Sequence, residues 1–426
     1  MIRLYNGKVL TLREGQDTPV DGEVWVEGDR IVLAGIPEDS EVKPVFEREI
    51  DLKGGMVMPG MKNAHTHSAM TFLRSFADDY PLDRWLNEMI FPREAKLDGE
   101  AVYAFAKLAN LEYLAGGVTA AFDMYFYRDD YVQACIDTGF RSVMCGALMA
   151  WDPDWTVLER DYEKYSRIHP LIGYLPGAHA EYTASLDMLK YILSVCRAEK
   201  LPFYAHNSET AKEVRECRER HGMSPTALFE SLGLYEYGGG GFHWIWTDEN
   251  DVEIFKKRNL WAVSCPCSNA KLASGIAPLN AYRKAGVNLA LGTDGPSSNN
   301  ALDMFREMYL ACVLQKLKEE DAAAMDPVSV LRMACCCGAR AMGLADCDCL
   351  APGKQADLCV IDMDKPAMVP LHNAVKNLVY SGNPGCVKLT MIAGRVLYEN
   401  GEFFVDEPAE DILAAARAHT KRIIEA

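Results

Sequence analysis

Two histidines one residue apart, His65-Thr66-His67, follow the apolar run GGMVMPG. On an extended strand residues i and i+2 face the same side, so two imidazoles at this spacing can reach one ion. Alone the pair says little, because a solvated or core pair of histidines is spelled the same way. It gains weight from His206, Glu209, His243 and Asp294, which fall at or just past the ends of predicted strands. Of nine histidines, five (65, 67, 179, 206 and 243) share such positions, whereas His169, His221, His372 and His419 lie outside the pattern. Neutral imidazoles joined by a carboxylate suit zinc or ferrous iron and leave a position open for water. Such an ion lowers the pKa of its water to about 7. Glu209, three residues after His206, is close enough to take the water proton.

The elements that must position these residues are read from apolar runs and the segments between them. Short runs at 57–59, 118–122, 142–148, 171–175, 202–205, 241–243, 261–264 and 288–292 read as strands. Amphipathic stretches at 100–115, 185–199, 211–221, 248–258 and 279–285 separate them as helices. Eight strand–helix alternations predict an α/β fold, a parallel (β/α)8 TIM barrel over 58–349. In that fold the C-terminal strand ends converge on one face, where catalytic residues gather. Residues 1–57 alternate apolar and polar positions, with turns at Asn6-Gly7 and Gly28-Asp29, and alternation returns at 350–405. Both chain ends are expected to form one small composite β-sandwich domain, followed by a closing helix over 406–426.

Composition bounds the partners. With 61 acidic against 44 basic side chains the formal charge is −17, which argues against a nucleic acid polymer or an anionic membrane surface. No run of about 18 apolar residues is present, so no spanning helix is expected. The opening MIRLYNGKVL lacks the regions of a signal peptide, and the fourteen cysteines read as reduced thiols of a cytoplasmic protein. Neither Cys335-Cys336-Cys337 nor Cys347 and Cys349 has the paired spacing of structural zinc. The subunit count stays open, a homo-oligomer included.

DLKGGMVMPGMKNAHTHSAM, HNSET at 206–210, His243, LGTDGPSSNN at 291–300, APGKQADLCVID and MIAGRVLYENGEF together resemble the amidohydrolase superfamily over nearly the full length. SFADDYPLDRWLNEMIFPREAKL, SNAKLASGIAPL and TDGPSSNNALDMF resemble its 5′-methylthioadenosine/S-adenosylhomocysteine deaminase branch. The resemblance implies metal binding by His65, His67, His206 and Asp294, with one divalent cation, zinc before ferrous iron. It assigns proton transfer to Glu209 and His243, and Asp294 is placed to accept a proton as ammonia leaves. The expected reaction is hydrolytic deamination of a small-molecule heterocycle, an adenosine-like nucleoside with a modified 5′ position favoured. Binuclear relatives bridge their metals with a modified lysine on the fourth strand; LIGYLPGAH has none and ends in His179. The zinc deaminases of nucleic-acid bases need P-C-x-x-C, and here Pro266-Cys267 is followed by Ser268, Asn269 and Ala270.

For the substrate, the resemblance implies stacking on Trp85, ribose-hydroxyl binding by Glu94, and contacts from His179, Glu209 and Ser298. Trp85 also reads as helix core and Glu94 as an exposed helix charge. Two positions depart from the family: Gly146 stands where relatives carry an arginine, and Ser264 where they carry a histidine. Another ring on the same machinery, such as guanine, a pterin or an s-triazine, is the competing enzyme reading, and Glu94 argues against a free base. A catalytically silent scaffold is the third; the chain keeps all four ligand types and Glu209.

Overall fold

The computed structural model describes residues 1–37, 44–81 and 84–425. Nine parallel segments, in runs of four and five, make the barrel. Met61–Thr66, Val118–Asp123, Arg141–Cys145 and Ile172–Leu175 form the first run, and Gly177–Ala180, Phe203–Asn207, Gly239–His243, Trp261–Ser264 and Asn288–Leu291 the second. Ile172–Leu175 and Gly177–Ala180 are two halves of the fourth strand, parted at Pro176, which has no N–H to give a ladder. Eight strands therefore result.

The strand expected at 57–59 belongs elsewhere. Met56–Pro59 pairs with Ile2–Val9 and with Leu358–Ile361 in the sheet made by the chain ends, and the first barrel strand is Met61–Thr66. The chain crosses between the sheets at Gly60, where a Cβ would lie 2.1 Å from the Thr119 side chain. An apolar run looks the same in either sheet, so only the pairing partners distinguish them.

The barrel closes without a regular ladder between its last and first strands. Asp294 N donates to His65 O at 3.0 Å, and Thr293 N to Asn63 Oδ1 at 2.9 Å. Gly292 makes the approach feasible, since a Cβ there would sit 2.6 Å from His65 N.

Strands from both chain ends form one mixed sheet of nine. Val26 and Ile31 near one edge share a small apolar core with Leu389 and Met391 near the other, so the sheet curls over itself. A buried pair ties it to the barrel floor: Arg141 donates to Asp357 from Nε at 2.6 Å and from Nη2 at 3.0 Å. Helices cover the barrel, among them Gly99–Ala115, Leu186–Glu199, Ala211–His221 and Glu249–Arg258, each started by an N-cap side chain (Asp98, Ser185, Thr210, Asp248). Ala409–Glu425 closes the chain against Gly99–Ala115. Among the described residues no helix is long and apolar enough to cross a membrane.

Candidate active site

His65 and His67 leave the end of the first barrel strand, His206 the fifth and His243 the sixth, while Asp294 follows the eighth by three residues. All five meet at one end of the barrel. The ligating atoms of His65, His67 and Asp294 lie within 4.8 Å of one another, as do those of His65, His206 and His243. His243, expected to move protons, thus also stands within ligating reach. His179 extends the group, its ring 4.8 Å from that of His206.

His67, His206 and His243 are each held by the outer nitrogen. His67 Nδ1 donates to Met124 O at 2.6 Å, His206 Nδ1 to His179 O at 2.7 Å and His243 Nδ1 to Asn269 Oδ1 at 2.8 Å. A carbonyl can only accept, so these bonds leave the Nε2 lone pairs facing inward. His65 is fully buried, stacked on Phe242 at 3.8 Å, and neither of its nitrogens has a hydrogen-bond partner. Burial drives its pKa down to about 3, which keeps the ring neutral. Asp294 is held on both oxygens: Oδ1 lies 3.5 Å from His65 Nε2 and 3.3 Å from His67 Nε2, and Oδ2 accepts from Ser268 Oγ at 2.5 Å and Ser298 Oγ at 2.8 Å. Burial pushes its carboxyl up, but the adjacent imidazoles of His65 and His67 hold it well below the usual range. An orphaned buried nitrogen beside other inward lone pairs and a carboxylate fits a divalent metal ion.

Backbone strain gathers at the same strand ends. Ser208, His243, Trp244 and Asp294 adopt left-handed φ of 53°, 80°, 46° and 60°.

Glu209 is buried, accepts from Ser274 Oγ at 3.1 Å, and burial raises its pKa. It does not cap the helix after it. Thr210 accepts from Glu213 N at 3.1 Å, while the Glu213 carboxylate accepts from Ser208 N at 2.9 Å and Glu209 N at 2.7 Å.

A cleft above the histidines, about 770 Å³ with its mouth, is lined by Trp85, Glu94, His179, Glu209 and Ser298. Every expected substrate contact therefore reaches one cavity. Trp85 is buried, and Glu94 is half-buried, not an exposed charge, with Tyr125 donating to its Oε1 at 2.7 Å. The Ser298 hydroxyl is engaged by Asp294 and Gly295 O. At Gly146 a Cβ would lie 2.7 Å from Gly177 N, so the third and fourth strands approach too closely there for an arginine. Sequence reasoning missed Tyr125, Ser268, Asn269 and Ser274. The last three lie in SNAKLASGIAPL, a run whose small polar residues just past the seventh strand were the available signal.

The fourteen cysteines are unpaired, all but Cys337 and Cys349 buried, and among the described residues none joins a cluster able to hold a metal.

Comparison with known proteins places these features in a lineage. Residues 56–397 match the profile of the amidohydrolase family. A 5-methylthioadenosine/S-adenosylhomocysteine deaminase of Thermoanaerobacter pseudethanolicus is 35% identical over 411 residues, 94% of each chain. A 5′-deoxyadenosine deaminase of Methanothermobacter thermautotrophicus is 37% identical over 397 residues, 91% of each chain. Among solved structures, a zinc-bound adenosine deaminase from Xanthomonas campestris superposes with a TM-score of 0.94 at 32% identity, covering 100% of this chain and 99% of that one.

Proposed function

Because the chain belongs to the amidohydrolase family, we propose that it hydrolytically deaminates an adenosine-like nucleoside carrying a modified 5′ position. The observation that carries this reading is the meeting of His65, His67, His206 and Asp294 with Glu209 and His243 beneath a cleft containing Trp85 and Glu94. Relatives named for 5′-modified adenosines support the substrate class.

His65, His67, His206 and Asp294 would hold a single divalent cation, zinc before iron. When bound, such an ion supplies Lewis acidity and makes hydroxide available near neutral pH. The purine stacks against Trp85 with its amino-bearing carbon toward the histidines, and the ribose hydroxyls reach Glu94. Glu209 takes the proton of the attacking water and passes it to the adjacent ring nitrogen, a transfer favoured by the raised pKa that burial gives it. His243, aligned by Asn269, orients and polarises the attacked centre. Asp294 accepts the proton of the added hydroxyl as the carbon–nitrogen bond breaks and returns it to the departing nitrogen. Ammonia and the keto product leave.

The test is ammonia release by metal-loaded protein from nucleosides, free bases and triazines. Release from adenosine-type nucleosides is expected. Release only from free bases or triazines would overturn the substrate class, and release from none would favour a silent scaffold.

A further inference from the structure

Outside the inner cleft lies a second chamber, lined by Phe91, Phe126, Tyr127, Met149 and Trp151. The two cavities share Phe91, Glu94, Phe126 and Met149, so they adjoin, and Glu94 lines both. Four of the chamber's aromatic rings are unusually bare: Phe91 and Phe126 are 37% exposed, Tyr127 47% and Trp151 63%. Exposed aromatic surface gathered in a concavity marks a binding site more often than a solvated face. Among the described residues lining either cavity, none is a lysine or arginine, while Glu94, Glu209 and Asp294 are carboxylates. Gly146, at the end of the third barrel strand, adds no cation either, because its contact with Gly177 leaves no room for a long side chain.

We propose that this outer chamber is the subsite for the 5′ substituent, and that it selects uncharged apolar groups, such as alkylthio chains, against substituents bearing a carboxylate. The inference rests on the nucleoside reading above. A ring over the histidines and a sugar at Glu94 direct whatever follows the sugar into the chamber. An alkyl or thioether chain there exchanges water for aromatic contact. A carboxylate in the same place meets no cation among the described lining residues and shares the cavity with like charges, so its desolvation is uncompensated. The α-ammonium of an amino-acid tail can lie over the rings, but it brings the carboxylate with it.

The experiment compares kcat/KM for adenosine, 5′-deoxyadenosine, 5′-methylthioadenosine, 5′-butylthioadenosine and S-adenosylhomocysteine on the zinc-loaded enzyme. The butylthio compound matches the length of the homocysteine tail without its charges. It should exceed S-adenosylhomocysteine by about tenfold or more. Trp151→Ala, at a position 63% exposed, should lower the butylthio-to-adenosine ratio while leaving adenosine unchanged. Trp151→Arg should narrow the gap to S-adenosylhomocysteine. Rates within about threefold for the matched pair, or equal effects of Trp151→Ala on adenosine and the butylthio compound, would overturn the proposal while the deaminase reading stands. Ammonia from none of these nucleosides would overturn both.

Discussion

Replacing Glu209 by glutamine separates a proton carrier from a structural residue. The amide keeps the volume of a nearly buried side chain, 7% exposed, and its oxygen can still accept from Ser274 Oγ. The helix that follows takes its cap from Thr210 and Glu213, and the Glu209 backbone N–H is held by Glu213, so neither bond involves the substituted group. Burial disfavours the charge that is removed, and the fold should be unchanged or slightly more stable. Glutamine cannot take the water proton, however. Loss of general acid–base catalysis lowers turnover by roughly 10²–10⁴-fold, about 3–5.5 kcal/mol of barrier. Bound metal should stay at the wild-type ratio, since the ligand set is untouched. Metal content, melting temperature and ammonia release measured on one preparation decide the matter. Near-normal turnover at full metal occupancy would remove Glu209 from the mechanism.

Further outcomes follow from the same geometry. Purified protein should carry about one zinc or iron per chain, and His65→Ala or Asp294→Ala should lose metal and activity together; elemental analysis showing two tightly held ions would refute the single-ion site. Glu213→Gln removes one of the two carboxylate oxygens that receive the Ser208 and Glu209 backbone, and should cost about 1–3 kcal/mol in denaturant unfolding together with part of the turnover. Asp357→Asn breaks the buried pair with Arg141 and should cost about 3–5 kcal/mol at neutral pH. Burial pushes the Asp357 carboxyl up, but Arg141 holds it below its ordinary value. Its contribution is therefore complete above the unfolded value of about 3.9 and is lost as pH falls through the folded one. The stability gap between wild type and variant should shrink in acid, and a gap that widens would refute the assignment.

The barrel is legible in the sequence because its strands are buried on both sides and so read as continuous apolar runs bounded by helices. The runs at 118–122 and 261–264 lie at strands Val118–Asp123 and Trp261–Ser264. The same apolarity misassigns 57–59, since nothing in MVMP tells which sheet takes it. The fourth strand is expected to stop at 175, but it resumes past Pro176 and carries His179 on its second half. In the site, histidines and acids are legible by type and position. Their supports are not: His67 and His206 are oriented by backbone carbonyls, of Met124 and His179, which every residue possesses. Ser268 and Asn269 reach Asp294 and His243 across 26 residues of sequence each, with no local periodicity to announce the contact.

The sheet shared by the chain ends also imposes an order on folding. Met56–Pro59 sits between Ile2–Val9 and Leu358–Ile361, partners separated by most of the chain. At about 5–20 residues per second of synthesis, the opening strands wait roughly 15–60 s for their last neighbour to be made. During that interval the Met56–Pro59 edge is an unpaired, wholly apolar template of the kind that recruits other chains. The barrel floor waits with it, because Asp357, the partner of buried Arg141, is translated just ahead of the missing strand. All the candidate-site residues, the last of them Ser298, are thus synthesised before the strand that covers the Met56–Pro59 edge emerges.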